Sequence, residues 1–355
     1  MQSKNYIFDA RPDLPFQITA KRYWFEDAPY SADAYTLVFA HAAGFCKEQW
    51  ETVIDGIFKL LRQSEDMNGD GSPTRFKIRE MWTIDAPNHG AAAILNEQVL
   101  QWGYDNVFSW ETYGRAIHTF LSGHGSRTES YFRGHNIIGI GHSLGAIAVM
   151  LSTTFQPSIP YKSIHIFEPS MFGQQWGVEI QDFFLHFALK RRDIWLSSEE
   201  AFNVMRNRPA WQNWDERILK LFVRHGLRTL PTLDYPDKTI GVTLSCNKKQ
   251  EAAVYRDHTS RVVAYNLLRH LIKKIPTHIT FGAIPERCPA ASRHDILHNA
   301  SGGIEHFSSV SEIEGAGHLV VHTHPDSVVE VIWKALHKDH IDISKVNKCH
   351  FKVKL

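Results

Sequence analysis

A serine held between two glycines, Gly141-His142-Ser143-Leu144-Gly145, is the stretch of this chain best suited to chemistry. It follows the apolar run Asn136-Ile137-Ile138-Gly139-Ile140 and precedes the small-residue run Ala146-Ile147-Ala148-Val149-Met150, which together read as strand, tight turn and helix. A G-x-S-x-G turn of this kind lifts the serine hydroxyl clear of the backbone, and its glycines let strand and helix approach without Cβ clashes. Five such residues also occur by chance. The strand before and the helix after separate the functional reading from the accidental one.

A serine hydroxyl is a poor nucleophile at neutral pH, so Ser143 needs a base in hydrogen-bond reach, a carboxylate to orient that base, and donors for a developing oxyanion. On a turn of this type the partners follow along the chain in the order serine, acid, histidine. Among 21 histidines, His318 stands out because Gly315-Ala316-Gly317-His318-Leu319 is a small-residue loop just before the last helical segment. His322 and His324 follow it, but no carboxylate or cysteine accompanies them at a recognisable metal spacing, so no metal is expected. Two glutamates leave strands between serine and histidine: Glu168, held by Pro169, and Glu286 after the next strand. Either is a candidate acid, and a solvated surface carboxylate is the ordinary alternative for both. The oxyanion donors expected are the backbone N–H groups of Leu144 and of Ala43, the latter in the loop His41-Ala42-Ala43-Gly44.

The elements that must position these groups alternate. Strands are expected over residues 36–40, 80–84, 136–140 and 163–167, with helices over 48–63 and 110–121. Short apolar runs bounded by Gly and Pro fit parallel strands covered on both faces, while residues 16–24 alternate like an antiparallel edge strand. This is an α/β pattern with a mostly parallel central sheet. It stops at residue 173. Residues 173–274 read as mainly helical, with Ser197 followed by Glu199 and Glu200 opening one helix, and their aromatic residues are first of all packing residues. Strand character returns over 278–282 and 307–313, and a final amphipathic helix is expected over 326–337. The division is therefore a core of residues 1–172 and 275–355 and an inserted helical lid of residues 173–274. Residues 64–73 read as a surface loop.

Composition narrows the function classes. The 355 residues carry 39 basic and 38 acidic side chains, which gives no broad basic footprint for nucleic acid. No apolar run is long enough for a membrane span, and the first residues lack the apolar core of a secretory signal. Four scattered cysteines without C-x-x-C point to free thiols in a reducing compartment. The last residues, Val353-Lys354-Leu355, approximate a peroxisomal address with valine in place of a small residue. A cytoplasmic or peroxisomal, unsecreted protein is expected.

Taken together, residues 37–50, Ile84-Asp85-Ala86-Pro87-Asn88-His89-Gly90, the Ser143 turn, Phe167-Glu168-Pro169 and the His318 loop resemble the α/β-hydrolase superfamily. Within it the chain is similar to fungal peroxisomal lipase-like hydrolases and related toxin-biosynthesis hydrolases. The resemblance implies an α/β-hydrolase fold with helices on both faces of the sheet and a lid. It also implies Ser143 as nucleophile, His318 as base and Glu168 rather than Glu286 as acid. Ala42 stands where such proteins usually have glycine. The function implied is serine-dependent hydrolysis of a carboxylic ester with a hydrophobic acyl group. Thioesterase, acyltransferase, C–C hydrolase or non-catalytic binding roles use the same parts. The expected partner is a small hydrophobic ester or acyl substrate, with no cofactor; the oligomeric state stays open.

Overall fold

The computed structural model describes residues 1–25, 31–66, 76–123, 132–173, 178–286 and 289–351. The tail Val353-Lys354-Leu355 and most of the expected 64–73 loop lie outside the described residues.

Six strands come first: β1 (Gln2–Asp9), β2 (Gln17–Trp24), β3 (Tyr35–Ala40), β4 (Ile78–Ile84), β5 (Asn136–His142) and β6 (Tyr161–Phe167). The chain then leaves the sheet for a segment with three short strands, β7 (Ile194–Trp195), β8 (Leu227–Thr229) and β9 (Val242–Leu244), and returns as β10 (Thr277–Gly282) and β11 (Ser309–Ile313). The main sheet has the order β1-β2-β4-β3-β5-β6-β10-β11. From β4 to β11 its neighbours are parallel, while β1, β2 and β4 pair antiparallel.

Every residue of β3 is buried, as a strand covered on both faces must be. One face packs on helices Trp110–Ser122, Leu144–Ser152 and Ser260–Leu271 through Phe120, Ile147, Met150 and Leu268. The other packs on helices Glu51–Asp66 and Pro325–Phe351 through Ile54, Ile57, Val328 and Ile332. Strand order reverses around β3, between β4 and β5, and at such a switch point the carboxyl ends of parallel strands leave a crevice for a ligand.

Two differences from the sequence reading have simple causes. The edge strand is β1, outside β2; its first residues, Gln2-Ser3-Lys4-Asn5, are all exposed, so only Tyr6 and Phe8 mark a buried face. The segment between β6 and β10 is helical in the main, yet β7, β9 and β8 form a small antiparallel sheet. Strands of two or three residues are too short to show a period. This segment has its own core of Trp195, Trp214, Ile218, Phe222 and Leu244. Ser197 caps a helix there as expected, its hydroxyl accepting from the Glu200 N–H at 3.1 Å. The last helix continues to Phe351, well beyond residue 337.

Candidate active site

Ser143 lies where β5 ends and helix Leu144–Ser152 begins, with φ 54° and ψ −114°. A non-glycine residue held there costs about 1–3 kcal/mol, which the surrounding packing must offset. The flanking glycines explain how the chain gets so close to itself. A Cβ on Gly145 would sit 2.2 Å from the Ala40 carbonyl oxygen, and one on Gly141 would sit 2.4 Å from that of Gly145. Neither contact is possible for any other residue without moving backbone.

Three side chains from three strand ends meet at this turn. His318 Nε2 is 3.0 Å from Ser143 Oγ, and His318 Nδ1 is 3.0 Å from Glu168 Oε2. Glu168 is buried and has φ 44°. Its other oxygen accepts from the Gly282 N–H at 2.7 Å and from Arg293 Nη2 at 3.1 Å. Glu286 borders the same site without entering this relay. Its carboxylate rests against Gly317, exposed to solvent, and among the described residues it makes no hydrogen bond to His318.

The expected oxyanion loop is fixed by two buried histidines. His41 Nδ1–H donates to the Ala42 carbonyl at 2.8 Å, and its Nε2 accepts from the Ala86 N–H at 3.1 Å. His89 Nε2 accepts from the Gly44 N–H at 2.9 Å. Buried Asp85 anchors the next turn, accepting from the Lys47 N–H and Nζ, both at 2.8 Å, and from Thr19 Oγ1 at 2.7 Å. These bonds hold the loop with alanine at position 42. Ala43 and Leu144 both border the cavity above Ser143. Among the described residues neither of their N–H groups donates to a protein acceptor, and that of Leu144 is one of the free donors at a helix N-terminus.

Three further side chains shape the site, and the sequence reading did not single them out. His142 Nε2–H donates to the His318 carbonyl at 2.8 Å, tying the histidine loop to the serine turn. Ser170 Oγ lies 2.8 Å from Ser143 Oγ. Arg293 braces Glu168 from a short helix 125 residues later. Only His142, inside the G-x-S-x-G turn itself, had a sequence signal.

A cavity of about 910 Å³ opens over Ser143, walled by Phe172, Phe183, Phe184, Phe187, Trp211 and Leu319 among others. The family model described as the alpha/beta hydrolase family matches residues 37–331. The chain belongs to this family. Among its curated relatives are a type I acyl-CoA thioesterase of Penicillium brevicompactum, 27% identical over 218 residues (59% of this chain, 44% of the relative). Another, from Penicillium roqueforti, is 29% identical over 223 residues, with the same two coverages. The chain thus spans under half the length of these relatives. A solved structure of a peroxisomal alpha-beta-hydrolase from Saccharomyces cerevisiae superposes with a TM-score of 0.68 at 20% identity, covering 96% of this chain and 89% of that one.

Elsewhere in this alpha/beta hydrolase, His165, His278 and Asp339 bring three ligand atoms within 4.8 Å of one another, the one such group among the described residues. Asp339 already pairs with both histidines, its Oδ1 lying 2.9 Å from His278 Nε2 and its Oδ2 3.6 Å from His165 Nε2. His322 is turned to Gln49, and His324 to Thr323. No helix among the described residues is long and apolar enough to cross a membrane.

The buried histidines predict an acid limb in stability. Burial pushes His142 down to about 3 and His165 down to about 4, against about 6.5 in the unfolded chain. Below that value the unfolded state binds more protons, so these groups cost nothing above about pH 6.5 and weaken the fold as pH falls towards 4. Each unit of pH across that window costs about 1.4 kcal/mol per histidine. The thermal midpoint should fall steadily from pH 6.5 to 4.5, with a shallower slope in His165→Asn; a flat profile in the wild type would refute the assignment.

Proposed function

We propose that this alpha/beta hydrolase cleaves carboxylic esters of hydrophobic acyl groups through an acyl-enzyme on Ser143. The observation that carries the reading is the unbroken relay from Ser143 Oγ through His318 to Glu168, with both links at 3.0 Å. In it His318 Nε2 takes the hydroxyl proton as Ser143 Oγ attacks the carbonyl carbon, and Glu168 holds Nδ1–H and the developing imidazolium. The N–H groups of Ala43 and Leu144 receive the oxyanion; one such donor contributes about 10²–10³ in rate. Collapse of the tetrahedral intermediate expels the alcohol with the proton from His318. Water, activated by the same histidine, then frees the acid and restores Ser143.

Residues 173–274 act as the lid, since their aromatic side chains form much of the cavity wall. That wall supports an apolar acyl group. A thioester is the second reading, favoured by relatives named as acyl-CoA thioesterases. Nitrophenyl esters of two to twelve carbons, assayed beside the matching thioesters, test both. Turnover should rise with chain length, and the ratio of thioester to ester turnover decides the leaving group. No turnover, with Ser143 unlabelled by a fluorophosphonate in folded protein, would overturn the proposal.

A further inference from the structure

The cavity contains one cation that its surroundings do not explain. Arg261 borders the cavity and is only 3% exposed. Its Nε donates a long bond of 3.3 Å to the His258 carbonyl; its Nη1 is buried with no partner. Among the described residues no carboxylate comes within 4 Å of the guanidinium. Asp257, whose charge favours it, is occupied instead by the Trp110, Thr259 and Ser260 N–H groups and the Ser260 hydroxyl.

Local physics opposes a cation at this position twice over. Burial removes the water that would stabilise the charge, and Arg261 stands in the first turn of helix Ser260–Leu271, where the helix dipole repels positive charge. A buried arginine ordinarily has a carboxylate partner. The other arginine of the cavity wall follows that rule, with Arg191 Nη1 at 2.7 Å from Glu251 Oε2. Arg261 therefore leaves a buried positive charge without a carboxylate partner among the described residues, in a wall that is apolar in large part but also carries Gln181, the Arg191–Glu251 pair and exposed Glu286.

We propose that Arg261 receives a carboxylate carried by the substrate, so that the preferred substrates are monoanionic esters or thioesters whose apolar body ends in a free carboxylate. One buried positive charge matches one carboxylate. A phosphate dianion would keep an unpaired charge of its own in the same place. The guanidinium fork offers two parallel donors to a carboxylate, a geometry lysine lacks. The inference rests on the ester-hydrolase reading for its substrate class, but it is tested by binding alone.

In Ser143→Ala protein, which holds the ligand without acylation, calorimetry should show monomethyl suberate binding about ten- to a hundredfold more tightly than dimethyl suberate. Adding Arg261→Met should bring the two ligands within about threefold of each other, and Arg261→Lys should restore part of the preference. Equal affinities in Ser143→Ala protein would overturn the proposal, whether or not Arg261→Met folds. So would a preference that survives Arg261→Met. Coenzyme A is the third ligand: if Arg261→Met weakens it and leaves the half-ester preference intact, the arginine serves a phosphate and the carboxylate assignment is wrong. A loss of turnover in wild type alongside an intact half-ester preference would count against acylation at Ser143 and not against Arg261.

Discussion

Ser143→Ala will reduce ester turnover by on the order of a millionfold, the size of effect seen when the nucleophile of a serine relay is removed, and will abolish fluorophosphonate labelling. The fold should persist. Alanine has the same Cβ as serine, so it meets the positive φ at Ser143 under the same steric terms, and the loss is confined to hydrogen bonds with His318 and Ser170. Those bonds are worth about 0.5–1.5 kcal/mol each, a shift that circular dichroism melting will register without loss of the folded baseline. Activity remaining near wild type in this variant would mean that another nucleophile does the work. Labelling that moved to a second serine would identify Ser170, which lies closest to hand.

How much of this arrangement the sequence could show depends on whether the determinants are local. The serine turn was legible because its five-residue pattern is local, with Gly141 needed by backbone four residues on, even though Gly145 is needed by the distant end of β3 at Ala40. His318 was legible because a small-residue loop before a helix is also a local pattern. The choice between Glu168 and Glu286 was not, since each leaves a strand in the same manner. What distinguishes them is a contact to a histidine 150 residues on, and no periodicity encodes that. Arg293 and Ser170 were hidden for the same reason, as ordinary residue types whose role exists only after the sheet brings their segments together. Arg261 is the same case in a helix, where a basic residue usually reads as a solvated face. The fold failed to show only at its extremes of polarity and length. β1 begins with four exposed polar residues, and β7, β8 and β9 are two or three residues long.

The two glutamates can be told apart by a pair of isosteric changes, with opposite expectations. Glu168→Gln should lower kcat by about 10³–10⁴ with KM nearly unchanged. An amide at that position no longer enforces the Nδ1–H tautomer, and it does not stabilise the imidazolium that forms as Ser143 attacks. It should also soften the fold, because Arg293 and Glu168 are both buried and breaking such a pair leaves an uncompensated charge costing about 3–5 kcal/mol. The catalytic and structural effects separate if kcat is measured well below the lowered melting temperature, where the variant is fully folded. Glu286→Gln removes an exposed carboxylate beside Gly317, and a surface change of this kind stays within about 0.5 kcal/mol in stability and about twofold in rate. If Glu286→Gln collapses while folded Glu168→Gln turns over normally, the acid has been misassigned. The hydrogen bond to His318 Nδ1 must then be exchanged between the two carboxylates during the reaction. If both variants collapse, the charge of Glu286 acts on the histidine loop beside Gly317, and Glu286→Asp, which keeps the charge, should recover part of the rate.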